Sequence, residues 1–285
     1  MSLPDDLRKD IPREVAEALA EDAGFRALTA SLIDADPVVG ATIVAGESLV
    51  LAGAPWVDAV FNQLDERVIV DWYVHDGQHA EAGDVVCKLV GPAQALLAGE
   101  QTAMNFLQTL SATATKTSAC VAAAAGTDTQ ILDTRRTLPG LRRAQAYAVT
   151  CGGGSNTRFA GHDAVLIDAS HVKNFGSIRE AVAHAGTLGS DISVAAAVRN
   201  HDELLEALDA GVAYIVLVDF STEALRQAVS SNAGYGYLGA ELEASANYTP
   251  AEIAIVAATG VAAISTPALT QGIDAIDLAM VFRID

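Results

Sequence analysis

From about residue 129 onward, short apolar runs alternate with helical segments: TQILDTR then PGLRRAQAYAV, DAVLIDA then GSIREAVAHAG, DISVAAAV then NHDELLEALDAG, AYIVLVD then STEALRQAVS, GAELEAS then TPAEIAIVAATG, and last VAAISTPAL. Strand then helix, repeated at a spacing of roughly 25 residues, commits this part of the chain to βα units and a parallel sheet. Right-handed crossovers leave two closures, a doubly wound sheet or a TIM-like barrel. The barrel is expected, because no GxGxxG follows the first strand and no single crevice is marked.

The first 110 residues read differently. A helical start over Arg13–Glu21 precedes strand-like runs in ATIVAGESLVLAG and ERVIVDWYVHDG, and a helix runs through LLAGEQTAMNFLQTLSATATK. VHDGQHAEAGDVVCKLVG, punctuated by turns, reads as short antiparallel strands, so this half is α+β. With 285 residues, 51% of them hydrophobic, there is ample material for a large buried core. No apolar run approaches the length of a membrane span and the acidic start is no leader, so a soluble cytoplasmic protein is expected, with no membrane partner. A formal charge of -19 with four lysines argues against nucleic acid, whose phosphates need a basic face. Cys87, Cys120 and Cys151 are odd in number and widely spaced, which suits reduced thiols better than disulfides or zinc. His75, His79, His162, His184 and His201 lack metal-ligand spacing and read as surface residues; no metal ligands are assigned.

In a βα barrel the reacting groups lie at the carboxyl ends of the strands. That rule selects Arg135 and Arg136, Asp168 with the loop to His171, Ala195 and Ala197, Val218 and Asp219, Glu243 and Ser245, and Ser265 to Pro267. Arg135, Arg136, Arg142, Arg143 and Arg158 concentrate the chain's cations, and an arginine fork suits carboxylate or phosphate oxygens. For Arg142 and Arg143 the alternative is a solvated helix face. Gly152 to Gly154 either let backbone approach such a ligand or cap the helix that ends at AQAYAVTC.

DTRRTLPGLRRAQAYAVTCGGG, followed by GHDAVLIDASHV and GSIREAV, resembles the quinolinate phosphoribosyltransferases. The likeness extends upstream through LVGPAQALLAGEQTAMNFLQTLSA and downstream to TGVAAISTPALTQGIDAIDLAMVFR, over nearly the whole chain. It implies an α/β chain of the type II phosphoribosyltransferase fold: an N-terminal α/β sandwich over residues 1–110, with the tail 271–285 packing back on it, and an open α/β barrel over 111–270. It also implies a homodimer in which one subunit's N-terminal domain covers the partner's barrel mouth. The family joins quinolinate to phosphoribosyl pyrophosphate with magnesium, releasing pyrophosphate and carbon dioxide to give nicotinate mononucleotide.

Several positions depart from the family pattern that the resemblance brings with it. Gln101 stands where the family's helix carries an arginine, and Thr157 replaces the histidine of its Asn-His-Arg, leaving Arg158. Asp168 stands where a lysine closes the second strand, Ala195 and Ala197 replace alternating glutamates, and Val218 precedes Asp219 on the fourth strand. Ala246 and Pro267 replace glycines whose amides meet phosphate, and proline has no amide hydrogen to offer. Exchanging lysine for aspartate beside a bound carboxylate turns attraction into repulsion, on the order of several kcal/mol at contact distance.

These departures predict that native turnover is lost and that the barrel mouth is repurposed or redesigned for another small molecule. Asp168, facing small apolar residues, is then expected to be desolvated and raised in pKa, acting as catalytic base with His171; the alternative is an ion pair with Arg135, Arg136 or Arg158. Arg135, Arg136, Arg158, Gln101, Thr157, Glu243 and Ser245 are the expected substrate-binding set, and Ala195, Ala197, Val218 and Pro267 the altered lining. Lys173 is the one lysine near the mouth for Schiff-base chemistry. Two other readings stand beside this one: a working phosphoribosyltransferase with atypical ligands, which needs Mg2+, and a catalytically silent scaffold that binds a small molecule.

Overall fold

The computed structural model describes residues 3–22, 37–157, 164–189 and 192–283; Arg158 and His162 lie outside them. The chain divides into two compact units, one of residues 1–118, 137–153 and 272–285, the other of 119–136 and 154–271.

In the first unit, α1 (Asp5–Glu21) starts earlier than its apolar pattern suggests and carries Pro12 inside it. Asp5 and Asp6 in its first turn favour that start, because carboxylates there oppose the positive end of the helix dipole. Strand β1 (Val38–Ala45) pairs antiparallel with β5 (Val85–Pro92) and with the C-terminal strand Leu278–Arg283. β3 (Ile69–Trp72) completes this four-stranded sheet on the far side of β5, while β2 (Leu49–Val50) and β4 (His79–Ala80) form a separate pair. Alternate residues of β1, Ala41, Ile43 and Ala45, are buried. They share one apolar core with α2 (Ala54–Leu64) and with Leu96, Leu107 and Leu110 of α3 (Ala93–Ala123).

Trp56 of α2 is fully buried and its indole nitrogen donates to Glu14 Oε2 at 2.9 Å, so a large apolar ring also accounts for a buried carboxylate. The ring packs on Phe106 and Tyr147, with centroids 6.4 and 5.7 Å away. Burial of such a side chain stabilises the unit by about 3 kcal/mol. Tyr147 belongs to α4 (Arg142–Cys151), whose C-cap is Gly152. A Cβ on Gly152 would come within 2.3 Å of the Ala114 carbonyl oxygen, so the CGGG motif serves here as helix end and close packing. Arg142 and Arg143 lie on the exposed face of α4, where Arg143 pairs with Asp10 at 2.6 Å.

The second unit holds six parallel strands: β6 (Gln130–Leu132), β7 (Ala164–Ile167), β8 (Ser193–Val198), β9 (Tyr214–Val218), β10 (Glu241–Ser245) and β11 (Ala263–Ser265). Their order, β6-β11-β10-β9-β8-β7, is that of an open barrel-like α/β sheet with β6 and β7 at its edges. Helices α5 (Ala169–Phe175), α6 (Ile178–Ala185), α7 (His201–Asp209), α8 (Thr222–Ala233) and α9 (Pro250–Ala257) follow the strands. Each begins on a side-chain cap, from Asp168, Ser177, Asn200, Ser221 and Thr249 respectively. Because a strand's carboxyl end leads to a helix amino end, these caps fix the loops on the face where ligands bind.

Candidate active site

Beyond β6 the chain continues as Asp133, Thr134, Arg135 and Arg136, and a set of hydrogen bonds holds this loop. Asp133 Oδ1 accepts from the Thr157 amide at 2.6 Å and the Asp133 amide donates to the Ser155 carbonyl at 3.1 Å. Thr134 Oγ1 accepts from the Arg136 amide at 3.2 Å, and the buried Thr270 hydroxyl donates to the Arg136 carbonyl at 2.5 Å. Asp133 is only 4% exposed. Burial first, and the nearby Glu243 carboxylate second, push its carboxyl up to about 6, against the Thr157 hydrogen bond that lowers it.

Glu243 of β10 is also buried, and accepts from the Tyr214 hydroxyl of neighbouring β9 at 2.5 Å. Ser265 donates to Ser245 at 2.9 Å, joining the ends of β11 and β10. After β9, Asp219 takes the left-handed backbone at φ 56°, a conformation aspartate tolerates better than most residues, while its amide donates to the Ser245 carbonyl at 3.0 Å.

Around these groups lies a cavity of about 370 Å3. Asp133, Arg135, Arg136, Asp219, Glu243 and Ser245 supply polar lining, with Thr157, Asn247 and Ser265 beside them. Leu166, Val216, Val218 and Pro267 make its apolar wall. Such a cavity, lined mainly by polar and charged groups with one apolar wall, suits a small molecule carrying an acidic group. The structure thus brings Arg135, Arg136, Thr157, Glu243, Ser245, Val218 and Pro267 to one place. Ala195 and Ala197 pack beneath it, in a cluster with Tyr214, Val216 and Val218, and are not among the residues that line it.

Asp168 requires a correction. Its side chain is 49% exposed and turns back to cap α5, accepting from the Ser170 and His171 amides at 2.9 and 3.2 Å. The Ser170 hydroxyl also donates to Asp168 Oδ1, and His171 Nδ1 lies 2.8 Å from the same oxygen. These bonds, led by that of Ser170, hold the carboxyl down to about 2, where desolvation was expected to raise it. Nor is Asp168 among the cavity's lining residues. Its geometry with His171 is a capping box, in which His171 Nδ1 faces the Asp168 amide at 3.2 Å.

Gln101 of α3 lies in the first unit, exposed, donating to Asn105 at 2.9 Å and lining a cavity there with Glu14, Glu17 and Phe106. Lys173 falls in the last turn of α5. The three cysteines are buried and joined in no disulfide, and burial pushes the Cys87 and Cys151 thiols up to about 12, far from the thiolate a nucleophile needs. Asp133 was not among the residues selected from the sequence, although it follows β6 directly and the same strand-end rule picked Arg135 and Arg136; Asn247 gave no comparable signal.

Two family models match the chain: the N-terminal domain of quinolinate phosphoribosyl transferase over residues 22–111, and its C-terminal domain over 113–281. The nicotinate-nucleotide pyrophosphorylase (carboxylating) of Mycobacterium leprae is 34% identical over 280 residues, 93% of this chain and 95% of that protein. The chloroplastic enzyme of the same name from Arabidopsis thaliana is 30% identical, over 95% of this chain and 82% of that protein. The solved nicotinate-nucleotide pyrophosphorylase of Francisella tularensis superposes with a TM-score of 0.90 at 37% identity, over 99% of this chain and 98% of that one.

Proposed function

Because the chain belongs to the quinolinate phosphoribosyltransferase family, we propose that its barrel mouth transfers a phosphoribosyl group to quinolinate, making nicotinate mononucleotide for NAD biosynthesis. The observation that carries this reading is the placement of Arg135 and Arg136, together with Ser245, around a cavity at the strand ends. Two guanidinium groups suit the carboxylates of a pyridine dicarboxylate. In the reaction the ring nitrogen's lone pair forms a bond to the ribosyl C1 as the bond from C1 to pyrophosphate breaks. Loss of carbon dioxide from C2 then leaves an electron pair there that takes up a proton.

Mg2+ accompanies phosphoribosyl pyrophosphate in this family, and such ions ordinarily need only one or two protein carboxylates beside the substrate's own oxygens. Glu243 and Asp219 are the cavity carboxylates that suit the task, while among the described residues no cluster of three metal-ligating side chains forms an all-protein site. No helix among the described residues is long and apolar enough to cross a membrane. The working form proposed here is a cytoplasmic homodimer, in which Gln101 meets the partner's mouth as the family resemblance implies.

A second reading is that the mouth has moved to another small molecule, or only binds one. It is favoured by Asp168, a carboxylate where the family pattern has a cation, spent on capping its own helix. Pyrophosphate release with quinolinate, phosphoribosyl pyrophosphate and Mg2+ separates the two. The first reading expects saturable, quinolinate-dependent release from the unaltered chain. Silence there, with release gained by the Asp168→Lys, Thr157→His, Gln101→Arg variant, overturns it in favour of the second.

A further inference from the structure

A cavity of about 430 Å3 lies within the first unit, lined chiefly by α1 and α3. Glu14 and Thr102 face it from positions that are only 8% and 4% exposed. Trp56 donates to Oε2 of Glu14, and among the described residues no donor reaches Oε1 and no cation pairs with this carboxylate. Nor does the Thr102 hydroxyl form a hydrogen bond among the described residues. Buried polar groups are ordinarily satisfied, so two that stay open toward one cavity mark it as a place for a ligand with hydrogen-bond donors and positive charge.

Seven residues on from Glu14, Glu21 stands two turns along α1, about 10 Å away along the helix axis, with Asp22 beside it. Glu17, between them, is held by Arg13 at 3.1 Å. Ala18 and the ring of Phe106 give the cavity an apolar lining. A compact metal ion needs ligands that converge on one point, and among the described residues no three such side chains do. Carboxylates spread along a lining that is partly apolar match instead a chain of methylenes with an ammonium at each end. We propose that this cavity binds a linear polyamine, one ammonium on Glu14 and Thr102, its methylenes along Ala18 and Phe106, and a second ammonium at Glu21 and Asp22. An ammonium's three donors can serve a carboxylate oxygen and a hydroxyl together, and a chain with a formal charge of -19 draws polycations toward it. The site does not depend on the reaction proposed for the barrel mouth.

Titration calorimetry of the full chain tests it, with spermidine as the polyamine and propylamine as a probe with one ammonium. Spermidine is expected to bind at least about tenfold more tightly than propylamine, and to weaken as salt rises. Glu14→Gln keeps an oxygen for the Trp56 indole and should weaken spermidine by about tenfold. Thr102→Val and the exposed Glu21→Gln should each weaken it severalfold at an unchanged melting temperature, and they carry the test if Glu14→Gln fails to fold. Glu66→Gln, exposed and outside the cavity, should change nothing. Equal affinity for the two probes, spermidine binding that persists unchanged in the cavity variants, or no spermidine binding overturns the proposal. In that last case, a dimer that loosens when Glu14 is replaced would give the cavity to a basic side chain of a second copy.

Discussion

Two aspartates, one in each unit, face opposite circumstances, Asp76 partly buried and Asp133 buried. Asp76, in the first unit, accepts from the Gly53 and Ala54 amides at 3.2 and 3.1 Å and from the Tyr147 hydroxyl at 2.8 Å. It caps the start of α2 and ties it to α4; burial raises its pKa, and these three bonds work against the rise. Asp133, in the second unit, accepts from the Thr157 amide, faces another carboxylate and lines a cavity. A carboxylate that accepts from two amides at a helix start and from a phenol ties elements of the fold together; one that lines a cavity at the strand ends lies where a ligand binds.

The largest expected effect falls on the structural side of this contrast. Asp76→Ala strands two amides and a phenol in a partly buried site and should lower unfolding stability by about 4 kcal/mol. Chemical denaturation measures it, and a loss under about 1 kcal/mol would erase the distinction between the two aspartates.

Asp133→Asn should do the reverse. The folded carboxyl sits near 6, above its ordinary 3.8, so between those values the folded state holds a proton the unfolded state has released. Stability therefore falls as pH rises from about 4 through 6, by up to about 3 kcal/mol, and the cost persists at pH 7. The amide variant keeps an acceptor for the Thr157 amide and loses that pH dependence. Its melting curve should be flatter across this window and higher at pH 7 than that of the unaltered chain.

The alternation of strand and helix, the strand-end rule and the arginine cluster were all legible in the sequence, because they depend on period and on residue type. What a cap does with a side chain was not. Asp168 has the residue type and the strand-end position of a catalytic base, yet SHV after it offers two amides, a hydroxyl and a ring nitrogen within one helical turn, and local bonds win over the cavity. Burial was equally hidden: Asp133 is a single letter of a motif until Thr157 and Glu243 close on it. Gln101 belongs to a helix of the other unit, and no spacing in the chain sets its relation to the mouth. Arg158 and its stretch lie outside the described residues.

A smaller effect sharpens the role of Asp168. Its carboxyl near 2 lies below the ordinary value, so its contribution is present above pH 4 and disappears as pH falls toward 2. Half exposure screens it, and Asp168→Ala should cost about 1 kcal/mol, the worth of a helix cap. Pyrophosphate release by that variant should stay within about twofold of the unaltered chain, whereas removal of a true general base costs about a hundredfold or more.

The most direct test of the site is pyrophosphate release by the Arg135→Gln variant, run beside the unaltered chain with melting temperature followed in parallel. Arg135 lies at the cavity and on the protein surface, so its loss should leave the melt unchanged and cut quinolinate-dependent release by about a hundredfold, the worth of a lost charged contact. Release that survives the substitution would contradict the assignment of the barrel mouth as the place where quinolinate binds.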